Sequence, residues 1–122
     1  MMTQSKASND ERPSTGEMVA TIRIPTTPER LEEIIAALRS VVGPTLANSS
    51  CKECSVVADV IEVRYVVFRE RWTSFQAFER HARSKLYQRV LFALDLASGT
   101  PEVRFECMGR TWGLDLLKDL SN

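Results

Sequence analysis

Polar and apolar positions alternate strictly in MVATIRIP, residues 18–25: Ala20, Ile22 and Ile24 share one parity, and Val19, Thr21 and Arg23 the other. A period of two with one apolar side marks a half-buried strand, and Pro25 ends it. The period then changes. In TTPERLEEIIAALRSVV, Leu31, Ile34, Ile35, Leu38 and Val42 recur at helical spacing. Thr27 stands as N-cap, Pro28 takes the first helical position and Glu29 lies in the first turn. Gly43-Pro44 is expected to end this helix.

CKECSVVAD and VRYVVFRERW read as two further strands. In the second, Val63, Tyr65 and Val67 face one way and Val66, Phe68 and Trp72 the other, so both sides carry apolar groups. The turn between the strands is placed around Asp59 to Glu62, without the Gly or Asn of a tight hairpin. Ser74 caps a helix through SFQAFERHARS. KLYQRVLFALDLAS is a second helical run, with Leu86, Val90, Leu91 and Leu94, stopped by Gly99 and Pro101. EVRFECMG is a last strand, with Val103, Phe105 and Cys107 opposite Arg104, Glu106 and Met108. The tail TWGLDLLKDL sets Trp112, Leu116, Leu117 and Leu120 on one side of a short helix.

The order β-α-β, repeated once, predicts an α+β fold: a ferredoxin-like βαββαβ unit with a four-stranded antiparallel sheet. Right-handed crossovers place both helical layers on one face of that sheet. The other face is bare, yet the third strand has apolar groups on both sides. A second copy would cover it, sheet against sheet, so a homodimer with a closed α/β-barrel interior is expected. Residues 1–16 are polar and read as a disordered leader. Residues 17–122 form a single domain.

Charge changes the list of partners. Sixteen Lys and Arg balance sixteen Asp and Glu, so the net charge is zero. Nucleic acid and polybasic membrane binding both need a basic surplus, and neither is expected. No apolar run approaches the ~20 residues of a spanning helix. The first residues lack the apolar core of a secretory signal, so the three cysteines are expected to be reduced in the cytoplasm.

Candidate chemistry gathers in ERWTSFQAFERHARSKLYQRV, residues 70–90, which holds the single histidine. His81 is the candidate catalytic base, able to take a proton from a phenol. The plain alternative is a structural imidazole bonded to the backbone or to Glu70. Trp72, Phe78 and Tyr87 are candidate substrate walls, or else ordinary core. Arg23 and Arg104 lie on the parity opposite the apolar face. With Glu70 they are candidate substrate-binding residues, or else members of cross-strand ion pairs. Cys51 and Cys54 form a lone C-x-x-C leading into a strand, where positions three apart point to opposite faces. With one such pair, a Cys₃His zinc site built from these, Cys107 and His81 is not expected.

The stretch RERW-TSFQAFERHARSKLYQRV, following a third strand in a chain of this size, resembles the antibiotic biosynthesis monooxygenase family. Glu70 and Trp72 close the strand, and Phe75, Phe78, His81, Ser84 and Tyr87 follow along the helix. The first half resembles the family in its strand, helix and Pro44-Thr45 segment. The turn into the second strand, Ser50-Cys51, departs from the family's Gly. The resemblance implies a dimeric α/β barrel that oxygenates small aromatic, quinol-type substrates with O₂ and without a bound metal, flavin or haem. A haem-degrading branch carries its ligand His where this chain has Leu91. A non-catalytic dimeric binding module, or an isomerase of a small carbonyl compound on the same scaffold, are the competing functions.

Overall fold

The structure is a computed structural model and describes residues 12–13, 15–59, 61 and 64–120. Strand β1 (Met18–Pro25) is its axis, paired antiparallel on both sides. Its inward residues Met18, Ala20, Ile22 and Ile24 are buried, as the alternation predicts. Around it lie β2 (Cys51–Asp59), β3 (Tyr65–Trp72), β4 (Glu102–Cys107) and β5 (Arg110–Trp112). The order is β2-β3-β1-β4-β5, every neighbouring pair antiparallel.

The sheet therefore has five strands, where the sequence pattern gave four. Within one chain it is open at β2 and β5 and does not close into a barrel. The extra strand comes from a two-residue turn. Met108 and Gly109 both have positive φ, 52° and 78°, the geometry that reverses a right-twisted hairpin. Cys107 pairs with Arg110 across it. Only Gly109 advertises that turn in the sequence, since methionine disfavours a left-handed conformation. Trp112 accordingly lies on a strand, and helix α4 (Asp115–Leu120) buries Leu116, Leu117 and Leu120 without it.

Helix α1 (Pro28–Leu46) runs straight through Gly43-Pro44, contrary to expectation. A proline at this position deprives the carbonyl four residues earlier of its donor. Here that carbonyl belongs to Ser40, and Arg89 Nη1 donates to it at 3.4 Å. The extra turn buries Thr45 below Ile34, Leu38 and Val41. Thr27 occupies the N-cap in extended conformation, but its side chain makes no capping bond. The turn after β2 is set by Asp59, whose Oδ1 accepts from the Ile61 N–H at 3.2 Å. Residues 60, 62 and 63 lie outside the described residues.

Helix α2 (Phe75–Ala82) begins as expected: Ser74 Oγ accepts from the Ala77 N–H at 3.1 Å. Helix α3 (Gln88–Asp95) starts later than the apolar run implied, after a stretch of turns. Most of the expected leader, residues 1–11 and 14, falls outside the described residues. Of the remainder, Arg12 stands 5.5 Å over the Phe75 ring and Gln76 donates to the Pro13 carbonyl at 2.9 Å.

Two glycines test this account with opposite signs, since a Cβ at either would meet nothing within 4 Å. Gly43 is helical, so Gly43→Ala is expected to stabilise by about 0.5–1 kcal/mol. Gly109→Ala forces a left-handed alanine and is expected to cost about 1–2 kcal/mol. Thermal unfolding of both variants measures the two shifts.

Candidate active site

The parity of β3 decides which side chains face the helices. Val66, Phe68, Glu70 and Trp72 point inward; Tyr65, Val67, Arg69 and Arg71 point to the bare face. Glu70 thus occupies a cross-strand row with Cys54, Ala20, Phe105 and Trp112. Its side chain has no exposed surface. An isolated buried carboxylate is strongly disfavoured, so a donor must answer it from inside. That donor is His81, in the last turn of α2, with Nε2 at 2.8 Å from Glu70 Oε2.

Aromatic rings enclose the pair. The Trp72 ring lies 4.6 Å from the imidazole at 35°, and Tyr87 meets it edge-on at 5.1 Å and 83°. Phe78 stands edge-on to Tyr87 at 6.1 Å. Five predicted residues therefore converge: Glu70, Trp72, Phe78, His81 and Tyr87. The imidazole is enclosed, with 5% of its side-chain surface exposed.

Arg23 and Arg104 do not join them. They lie on the opposite face of the sheet, in a concavity of about 680 Å³ that also takes in Thr21, Arg69, Glu102 and Glu106. Arg23 pairs with Glu102 at 3.3 Å and lies 3.7 Å over the Tyr65 ring, while Arg104 pairs with Glu106 at 3.0 Å. The first pair matches the cross-strand alternative, whereas the second joins two residues of β4 itself; both are exposed and contribute little to stability.

Three residues enter the helix-side cluster that the pattern did not place there. Cys51 and Cys54 both face inward, because the β2–β3 register shifts between Cys51 and Glu53 and leaves Lys52 as a bulge. That shift reverses the parity by which the two cysteines would point apart. The third is Thr45, brought in by the extra turn of α1. No signal in the sequence marks a bulge at Lys52. A helix that survives Pro44 becomes visible only through Arg89.

The cluster disfavours negative charge other than that of Glu70. Burial, reinforced by Glu70, pushes the Cys51 thiol up to about 11 and the Cys54 thiol higher still. The Tyr87 phenol is raised well above its usual value by the same two causes, burial first. Both thiols and the phenol are therefore neutral at pH 7. An imidazole that donates through Nε2 to the Glu70 carboxylate keeps its lone pair on Nδ1. Among the described residues, no three His, Cys, Asp or Glu side chains are arranged to hold a metal ion.

The fold and this stretch both have counterparts. A family model described as antibiotic biosynthesis monooxygenase matches residues 18–91. A protein from Shewanella oneidensis superposes with a TM-score of 0.68 at 20% identity, over 78% of this chain and 93% of that one. A candidate antibiotic biosynthesis monooxygenase from Caulobacter crescentus gives 0.67 at 14% identity, over 79% and 92%. A protein from Mycobacterium tuberculosis gives 0.66 at 20% identity, over 74% and 92%. At these identities the structural likeness shows the fold. No curated protein matches the chain.

The thiol environment predicts a pH dependence. A group neutral in the fold, with its pKa raised above the unfolded value, contributes stability below that unfolded value and loses it as pH rises. For Cys51 the loss begins near its ordinary 9.0 and runs to about 11, and Cys54 and Tyr87 extend it upward. Thermal unfolding under reducing conditions is expected to show a melting temperature that falls progressively above pH 9. A flat profile to pH 11 would contradict the buried placement.

Proposed function

The chain belongs to the antibiotic biosynthesis monooxygenase family, and we propose that it is an oxygenase of a small phenolic or quinol-type substrate, with His81 as the base. The observation that carries this reading is the buried 2.8 Å His81–Glu70 pair walled by Trp72 and Tyr87. A quinol hydroxyl loses its proton to His81 Nδ1. Glu70 holds Nε2–H in place and balances the imidazolium. The resulting anion is electron-rich enough to pass an electron to O₂. Trp72, Phe78 and Tyr87 exclude water and hold the ring, so that the reaction is helped by desolvation and orientation. Access to so enclosed an imidazole requires a local opening. The turn after α2, residues 83–87, directly follows His81.

Oxygen uptake with a panel of neutral quinols tests the reading, alongside thermal unfolding. His81→Gln, which keeps an N–H donor beside Glu70 but removes the base, is expected to lower the rate by about 10²-fold or more while the protein stays folded. Equal loss of rate and of folded protein would assign His81 to structure. No uptake by the parent chain on any quinol would favour a non-catalytic binding module.

Arg23 and Arg104 take a different role in this reading: they belong to the surface on which a second copy packs. That face offers Tyr65 and Val67 between rows of arginine and glutamate, a self-complementary arrangement for a two-fold contact. Sedimentation equilibrium at micromolar concentration is expected to give a dimer. A stable monomer would leave the bare face as an ordinary charged surface.

A further inference from the structure

The hydrogen bonds around Glu70 are incomplete in a concentrated way. Thr45 Oγ1, Glu70 Oε1, Trp72 Nε1 and Tyr87 Oη are all fully buried and have no partner in the structure. Three of them belong to residues grouped around Cys54 and the Glu70–His81 pair, where Tyr87 meets the imidazole that bonds Glu70. Cys54 is the cross-strand partner of Glu70, its thiol feels the hydroxyl of Thr45, and Tyr87 feels the charges of both Glu70 and Cys54. Trp72 lies one inward position further along β3. Partnerless buried polar atoms are uncommon in native proteins, and four in a single neighbourhood mark a site rather than scattered defects.

We propose that Thr45, Glu70 and Tyr87, grouped around Cys54, form an internal binding site for a water molecule that supplies the second hydrogen bond to the Glu70 carboxylate. The donor inventory fits water. Glu70 Oε1 accepts only, whereas the two hydroxyls can each donate or accept. One water donating to Oε1 and bridging to both hydroxyls makes three bonds, the usual complement of a buried water. An anion does not fit, because the site already holds one carboxylate and keeps its thiols and phenol neutral. The water has a consequence for the dyad. A water donating to Oε1 leaves Oε2 to accept the Nε2–H of His81, so that Nδ1 is the ring nitrogen available as base. This last step rests on the reading of His81 as a base; the water site itself does not.

The experiment uses the full chain and needs no substrate. A high-resolution crystal structure is expected to show density within hydrogen-bonding reach of Glu70 Oε1, Thr45 Oγ1 and Tyr87 Oη. Thr45→Val and Tyr87→Phe are each expected to lower the melting temperature by roughly 3–8 °C, since each deletes one arm of the bridge. The double variant is expected to lose less than the sum, because the second deletion acts on a bridge already broken. Direct contact among the three groups with no density between them would overturn the proposal. So would a Thr45→Val variant that melts higher than the parent, the result for a dry chamber with a useless hydroxyl. Because His81 is the only histidine, its imidazole ¹⁵N shifts report the tautomer without ambiguity. Nε2–H supports the ionised carboxylate, and Nδ1–H with a protonated Glu70 overturns it. Water density without quinol oxidation would leave the site standing and remove the proposed reaction.

Discussion

A carboxylate with no exposed surface constrains everything packed against it. Glu70 sits mid-sheet, between Cys54 on one neighbouring strand and the small side chain of Ala20 on the other. Its negative charge can stay there only if a donor reaches it from the helical layer. That requirement fixes the end of α2, because His81 must arrive at 2.8 Å with the correct nitrogen. The Ser74 cap fixes the other end of the same helix. The helix is eight residues long, too short to hold itself by propensity. Phe75, Phe78 and the Glu70–His81 bond therefore anchor it together.

The two faces of the sheet do different physical work. The inward face joins large aromatics to one buried, hydrogen-bonded Glu70–His81 pair, and it shifts every nearby thiol and phenol toward the neutral form. The outward face distributes arginine and glutamate in solvent-exposed pairs that screen one another. Grouping Arg23 and Arg104 with His81 in one site would require a side chain to cross the sheet. The pleat forbids this, since successive residues on a strand point to opposite faces.

Local irregularities rather than regular elements complete the inner cluster. The Lys52 bulge turns two cysteines the same way. Arg89, from another helix, supplies the Ser40 carbonyl with the donor that Pro44 cannot provide, and the added turn delivers Thr45. In both cases a rule of local sequence was outweighed by a partner far along the chain.

The sequence by itself determined what depends on periodicity and local capping: the alternation of β1, the amphipathic α1, the Ser74 cap, the βαββαβ order and the grouping of Trp72, Phe78, His81 and Tyr87 near one strand end. These are readable because neighbours in sequence set them. Tertiary structure alone decided which parity of β3 faces inward, since both parities carry apolar groups and only the packed helices choose between them. It also decided the bulge, the continuation of α1 and the fifth strand, and it sealed Glu70 against His81. Each of these depends on contacts between residues distant in the chain, whose energies exceed the local preferences they override.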